Sequence, residues 1–312
     1  MKCLFAYNPV SGKGKIKKKL DYIVGRLKEK YEVVDVYETK KSGDISFIAR
    51  SAVGNYDVFV FSGGDGTFNE VITGLGENAN LITLGYIPTG TVNDIARTMG
   101  IKRNIKKALN VIVDGQAKLY DVMKVNDRYS AYFVGCGAMM TVSYATKQDN
   151  KHKFGKIAYA DYILKNDLKF NKFELNYSYD GGEVKTTTAV MVMIINSRSL
   201  SSFKVNKKAD LHDGKVDVAI FMGKKRRNRF FETVVGIFRT AKFFLFGYRL
   251  NKKRKNMICF SCSNLEMVRN DEGDWNYDGE KGDKSKIKLE VKQNGMKLLV
   301  PKKKKCDKFV KK

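Results

Sequence analysis

Val58-Phe59-Val60-Phe61-Ser62-Gly63-Gly64-Asp65-Gly66-Thr67-Phe68-Asn69-Glu70-Val71-Ile72 holds the reading on which the rest depends. Four consecutive apolar residues, Val58 to Phe61, are the pattern of a strand covered on both faces. They run into three glycines around an aspartate, and then into a helical pattern. Glycines let backbone N–H groups approach a phosphate without Cβ clashes, and a helix starting there points its positive end at the same place. A carboxylate in such a loop repels phosphate unless a metal lies between them, so Asp65 points to Mg²⁺, held directly or through water.

Working outward, the same grammar repeats. Lys2–Tyr7 reads as a strand stopped by Asn8-Pro9, and Ile16, Leu20, Ile23 and Leu27 follow at helical spacing. Glu32–Tyr37 is a second strand, and Ile45, Ile48, Ala49, Ala52 and Val53 mark a second helix. Leu81–Ile87 is a further strand, with helices expected over Val92–Thr98 and Ile105–Val113. Strand and helix in alternation predict a parallel sheet wrapped by helices. The loops Asn8-Pro9-Val10-Ser11-Gly12-Lys13-Gly14-Lys15 and Pro88-Thr89-Gly90-Thr91-Val92-Asn93-Asp94 then share the carboxyl edge of that sheet with the Gly63 loop, where ligands bind. Neither a Walker A loop nor the GxGxxG dinucleotide fingerprint is present.

Beyond residue 117 the pattern turns to β. Ala117–Val125 and Arg128–Val134 flank an Asn126-Asp127 turn, and further runs are Phe173–Tyr179, Val184–Ile195, Val216–Phe221, Met257–Ser261, Ile287–Val291 and Lys297–Val300. Asp180-Gly181-Gly182, Asp213-Gly214 and Asn294-Gly295 read as turns. Helical patterns interrupt near Lys156–Leu168 and Asn228–Phe246.

The net charge of +26 in 312 residues calls for an anionic partner: a nucleotide, nucleic acid or an anionic membrane. The chain shows no RNA-binding aromatic motif and no zinc-finger spacing, so nucleic acid is not expected. Five cysteines without framework spacing argue against a secreted disulfide scaffold. Cys259 and Cys262 form a lone CxxC, and His152 and His212 are the only histidines, too few ligands for zinc. No stretch is long and apolar enough for a membrane span, so a cytoplasmic protein is expected, meeting the inner face of the plasma membrane from the side. Lys224-Lys225-Arg226-Arg227-Asn228-Arg229, a phenylalanine-rich stretch from Phe230 to Phe246, and Lys252-Lys253-Arg254-Lys255 together suit an anionic interface.

Three elements taken together, Asn8-Pro9-x-Ser11-Gly12, Gly63-Gly64-Asp65-Gly66-Thr67-x-Asn69-Glu70 and Pro88-x-Gly90-Thr91-x-Asn93-Asp94-x-Ala96-Arg97, resemble the motifs of the diacylglycerol kinase catalytic family, its soluble bacterial lipid kinase branch above all. The resemblance implies a Rossmann-like, phosphofructokinase-like α/β nucleotide domain over residues 1–122, with the tail 301–312 packing back on it. An antiparallel β-sandwich domain over 123–300 would follow, carrying the lipid substrate and the catalytic base. It implies ATP as phosphoryl donor, Mg²⁺ as cofactor, a lipid acceptor with diacylglycerol foremost, and a homodimer, as in several relatives.

By the same resemblance, Asn8, Pro9, Val10, Ser11, Gly12, Thr39, Gly63, Gly64, Asp65, Gly66, Thr67, Phe68, Asn69 and Thr91 bind nucleotide. Asp65 reaches catalytic Mg²⁺ through water, and Asp121 belongs to the same network. Trp275-Asn276-Tyr277-Asp278-Gly279-Glu280 resembles the catalytic loop, with Glu280 as proton acceptor and Asp278 in support or sharing the role. Asp210, Asp213 and Lys215 match a structural Mg²⁺ site that uses the Asp213 side chain and the other two carbonyls. Lys13 or Lys15 would neutralise phosphate. The competing expectations are a kinase for another lipid alcohol such as sphingosine or ceramide, an NAD kinase, and a non-catalytic basic protein that binds nucleic acid or membrane.

Overall fold

The computed structural model describes residues 1–137, 171–200, 203–223 and 256–302. The helical patterns near 156–168 and 228–246, the basic and aromatic stretch 224–255 and the tail from 303 lie outside the described residues, as does the side chain of Lys13.

Four strands, β1 (Lys2–Tyr7), β2 (Val33–Glu38), β3 (Val58–Gly63) and β4 (Thr83–Pro88), pair in parallel in the order β4-β3-β1-β2. Helices α1 (Leu20–Lys28), α2 (Asp44–Ala52), α3 (Asp65–Leu75), α4 (Asp94–Thr98) and α5 (Ile105–Asp114) accompany them. All six residues of β3 are buried, as its unbroken apolar run requires. In contrast β2, which among the described residues pairs with β1 alone, leaves Val33 and Val36 exposed. Helices α2 and α3 approach closely because Gly74 has no side chain to strike the Ser46 backbone. Ser46 Oγ donates to the Glu70 carbonyl at 2.7 Å and Arg50 Nε to that of Gly74 at 3.0 Å.

The later strands are β5 (Gln116–Val125), β6 (Arg128–Ser130), β7 (Phe133–Gly137), β8 (Phe173–Tyr179), β9 (Lys185–Ile195), β10 (Val216–Met222), β11 (Met257–Cys262), β12 (Asn264–Arg269), β13 (Asp274–Tyr277), β14 (Glu280–Lys284) and β15 (Lys286–Val300). Their mutual pairings are antiparallel, and Asn126 turns β5 into β6 at φ 50°. From Met191 to Ile195, strand β9 is buried on both faces. Met191, Met193 and Ile195 point into a core shared with the parallel sheet, while Val192 and Ile194 point into a second core with Val218, Trp275 and Leu289. A side-chain period of two is enough to serve two cores from one strand.

The structure departs from the sequence reading at three places. Arg128–Val134 is not one strand: it breaks at Ala131-Tyr132, whose N–H groups turn to Asp278. Ile287–Val291 and Lys297–Val300 are one strand, β15, and Asn294-Gly295 is no chain reversal but an irregularity within it, between Lys292 and Met296. Asn294 takes φ 55°, and its N–H donates to Asp121 Oδ1 at 2.9 Å. Strands β12, β13 and β14 are additional. Cys259 and Cys262 are three residues apart on β11, so they face opposite sides of the sheet; both are free, and burial pushes the Cys262 thiol up to about 12.

One hydrogen-bonded network links all these strands. Strand β15 joins its two regions by pairing in parallel with β4 and antiparallel with β5 and β12. Beyond β15, Gln116 Nε2 donates to the Pro301 and Lys302 carbonyls. No helix among the described residues is long and apolar enough to cross a membrane.

Candidate active site

The parallel strands end level. Tyr7 stands beside Glu38 and Ser62, and Gly63 beside Pro88, so the loops that follow open on one edge. Thr39 joins them, its N–H donating to the Tyr7 carbonyl at 2.9 Å. The first loop folds on itself, with Val10 N–H donating to Asn8 Oδ1 at 3.0 Å and Ser11 N–H to the Asn8 carbonyl at 3.0 Å. Pro9 is half-buried within it and Val10 is exposed.

Glycines let the loops meet. A methyl at Gly12, which sits at φ +59°, would stand 3.2 Å from Thr89 Cβ, and one at Gly64 would stand 3.2 Å from Gly90 Cα. Ser11 Oγ and Thr89 Oγ1 share a hydrogen bond of 2.6 Å, and Thr89 N–H donates to the Gly63 carbonyl at 2.8 Å. Asn93, at φ 55°, both accepts from and donates to the Gly90 backbone. These contacts bind the first, second and third loops into one wall, with the N-terminus of α3 at its centre. Thr67 packs over Gly63, and Thr91 is exposed on the rim. Phe68 is the exception among the expected nucleotide residues: its ring is fully buried edge-on against Phe61 and Tyr86, in the core.

Asp65 opens α3, and its Oδ1 accepts the Ile95 N–H at 3.2 Å. Asp65, Asp94 and Asp278 all act on Tyr132, whose hydroxyl pKa is raised mainly by burial and further by these carboxylates. Carboxylate oxygen is the donor a hard divalent cation takes, and Asp65 at the start of α3 is the residue that fits that role here.

The β13–β14 hairpin closes the opposite side. Its tip is left-handed, with Asp278 at φ 51° and Gly279 at φ 89°, and Gly279 N–H donates to Asn276 Oδ1 at 2.8 Å. The buried Asp278 carboxylate is clamped by four donors. Oδ2 accepts Asn69 Nδ2 and Ala131 N–H, both at 2.7 Å, while Oδ1 accepts Tyr132 N–H at 3.1 Å and Phe133 N–H at 2.8 Å. Burial still dominates, pushing Asp278 up to about 6 against the pull of those donors. Glu280, two residues on, is exposed. A methyl at Gly66 would stand 3.2 Å from Glu280 Oε1, so the hairpin carboxylate lies directly against the phosphate-type loop.

Asp121 lies on β5. It is fully buried, with Oδ2 accepting Gly214 N–H at 2.7 Å and Oδ1 accepting Asn294 N–H at 2.9 Å. Its pKa is raised by burial, and those two N–H groups oppose the rise. It therefore organises the Asp210–Lys215 loop. There Asp213 Oδ1 accepts Lys215 N–H at 3.0 Å and Asp210 Oδ1 accepts His212 N–H at 3.1 Å. Asp213 is raised by burial first, then by the charges of Asp210, Asp121 and Asp217. Crowded carboxylates of this kind are relieved by a cation. Among the described residues no three His, Cys, Asp or Glu side chains gather to hold one, so only the mixed pattern of one carboxylate with backbone carbonyls fits.

Thr89, Asn93 and Glu70 stand in the quoted motifs, but the sequence assigns them no individual role. Thr89 and Asn93 are the pieces that fasten the third loop. Glu70 lies one helical turn after Gly66, and its pKa is raised by burial, with the Glu280 charge adding to the rise and the Gly43 N–H opposing it. The spacing of four between Gly66 and Glu70 was the available signal.

The model of the diacylglycerol kinase catalytic domain matches residues 2–125. A diacylglycerol kinase of Staphylococcus aureus is 38% identical over 213 residues, which cover 67% of this chain and 66% of that relative's length. A solved Bacillus anthracis diacylglycerol kinase superposes with a TM-score of 0.74 at 22% identity, over 96% of each chain. An NAD kinase from Archaeoglobus fulgidus, solved in complex with ATP, superposes with a TM-score of 0.53 at 13% identity, over 99% of this chain and 97% of that one. The two structural likenesses speak for the fold.

Proposed function

The chain belongs, through residues 2–125, to the diacylglycerol kinase catalytic family, and on that premise we propose that it is an ATP- and Mg²⁺-dependent lipid kinase. The acceptor is a lipid hydroxyl, with diacylglycerol as substrate and phosphatidic acid as product. The observation that carries this reading is the position of Glu280 Oε1 against Gly66, which sets a carboxylate beside the loop suited to hold the transferred phosphate.

In this mechanism the nucleotide lies along the Asn8–Gly12, Gly63–Asn69 and Thr91 loops, with Thr39 alongside. Backbone N–H groups and the α3 N-terminus face its phosphates, and Lys15 adds positive charge. Asp65, with Asp94 close by, would hold Mg²⁺, which when bound neutralises phosphate charge. The lipid hydroxyl enters the cleft between the loops and the hairpin. Its oxygen forms a bond to the γ-phosphorus while the bond to the β–γ bridging oxygen breaks and ADP leaves; Glu280 takes the hydroxyl proton. The transition state of such transfers is loose, so positioning and charge carry most of the acceleration, and the base contributes about 10²–10⁴-fold. Asp278 is held by four donors and serves this scheme by fixing the hairpin, leaving Glu280 as the base. The Asp213 loop would hold a second, structural cation. Peripheral contact with an anionic membrane on the cytoplasmic side completes the proposal.

The test is a panel of lipid alcohols and NAD offered together with labelled ATP, the products being identified by mass spectrometry. Labelled phosphatidic acid is the expected product. Labelled sphingosine or ceramide phosphate would move the acceptor, labelled NADP would replace the reading by a nucleotide kinase, and failure to bind ATP-Mg would remove the catalytic reading.

A further inference from the structure

Two segments that flank α4 carry bases and no acids. Residues 95–113 contain no Asp or Glu, and present Lys102, Arg103, Lys106 and Lys107 to solvent. Residues 197–209 likewise contain no acid, and expose Lys204, Lys207 and Lys208. None of these seven makes an ion pair among the described residues, whereas Lys17, Lys124, Lys281 and Lys292 each stand within 4 Å of a carboxylate.

The two segments are stitched together. Thr98 Oγ1 hydrogen-bonds Ser197 Oγ at 2.7 Å and Ser199 Oγ at 3.2 Å, and Ser199 Oγ donates to the Asp94 carbonyl at 3.4 Å. Arg103 Nη2 donates to the Gly90 carbonyl at 2.9 Å, which sets this basic segment on the rim of the third active-site loop. Two apolar side chains break the surface in the same region, Val92 on that loop at 37% exposure and Phe203 at 38%. Phe203 is held out by a backbone bridge to the buried Leu200.

We propose that this face, built from residues 92–107, 198–200 and 203–208, is the surface that docks on an anionic lipid bilayer. The bases meet the headgroups, and Val92 and Phe203 enter the interface. The proposal deepens the lipid-kinase reading and rests on it for the identity of the partner. What the face adds is orientation, because docking there puts the third loop at the bilayer and lets a lipid hydroxyl reach the cleft without leaving the membrane. Bases near such a surface add to one another, so the face supplies adhesion that salt screens.

The test uses the full chain in sedimentation with phosphatidylcholine vesicles, with and without phosphatidylglycerol. Phosphotransfer to diacylglycerol in neutral detergent micelles is measured in parallel. The variants are Lys102→Glu/Lys106→Glu/Lys107→Glu and, separately, Phe203→Ser. Acidic residues are favoured in the first turn of α5, so the triple variant keeps its helix; circular dichroism verifies this. The expected result is a loss of about 10-fold or more in binding to anionic vesicles for the triple variant, a smaller loss for Phe203→Ser, and micellar activity within about twofold of the parent. Unchanged vesicle binding by both variants would overturn the docking face, as would tighter binding of the parent chain to duplex DNA than to anionic vesicles at equal salt. Absence of micellar activity in the parent would instead strike the lipid-kinase reading, and the vesicle result is read independently of it.

Discussion

Asn69 donates its side-chain amide to Asp278 Oδ2 at 2.7 Å across 209 residues of chain. The same amide donates to the Tyr129 carbonyl at 2.9 Å. The helix that begins at the glycine loop is thereby fastened to the hairpin that carries Glu280. Asn69→Ala should lower kcat by about 10-fold or more, since an error of about 1 Å at a reacting centre costs on the order of 10²-fold. The thermal midpoint should move by a few degrees only. Asn69→Asp sets two carboxylates against each other and should be worse at neutral pH, recovering in part as acid protonates one of them. Steady-state kinetics from pH 5 to 8 check both.

Asp278 links acidity to stability and to turnover in opposite senses. Its pKa is raised from 3.8 to about 6 in the folded chain by burial. A raised folded pKa gives a stabilising contribution that is present below about 3.8 and lost as pH rises through about 6. The change is roughly 3 kcal/mol. Urea denaturation at pH 4 and pH 7 should show this descent in the parent and not in Asp278→Asn. Turnover should behave the other way, falling as pH drops through about 6, because the protonated carboxyl can no longer accept from all four donors. The Asn side chain tolerates the left-handed tip but has one acceptor oxygen only, so Asp278→Asn should be slow at every pH.

Glu280→Gln and Asp65→Ala should each remain folded and lose phosphoryl transfer. For Glu280→Gln the expected fall in kcat is about 10²–10⁴-fold, with ATP binding retained. For Asp65→Ala the dependence on added Mg²⁺ should weaken as well. Labelled-phosphate transfer together with nucleotide titration separates the two. Activity like the parent's in both would remove the site assignment.

Gly66→Ala is a test of contact. Alanine suits the first turn of α3, so the helix is unharmed. The added methyl meets Glu280 Oε1 at 3.2 Å and should displace it, lowering kcat by about 10-fold while the circular dichroism spectrum and thermal midpoint stay unchanged.

Asp121→Ala removes the acceptor of the Gly214 and Asn294 N–H groups. Leaving them without a partner should cost about 2 kcal/mol, measured by urea denaturation. Asp121→Asn, which keeps one acceptor, should lose less.

What the sequence makes legible follows from how much each element depends on its own residues. Lys2–Tyr7 and Phe173–Tyr179 were drawn to the residue because their apolar patterns are uninterrupted. The glycine loops were equally plain, since their chemistry is local. Strand β14, Glu280-Lys281-Gly282-Asp283-Lys284, has no apolar residue to betray it. It lies at the end of the sheet path, where charged residues are the rule for an edge. Asn294-Gly295 has the composition of a turn, and only the distant Asp121 carboxylate shows why the chain goes straight on. The clamping of Asp278 is hidden for the same reason: three of the four donors that hold it come from Ala131-Tyr132-Phe133, far away in sequence.

Strand β15 runs unbroken from a neighbour in the β-rich region to a neighbour in the parallel sheet. The two regions are thus welded by a beam rather than hung on a tether. Any opening of the cleft has to be a flexure of that beam, and the compliant point is the kink at Asn294, where the ladder to β5 is interrupted. Asp121 braces that kink and the Gly214 loop at once.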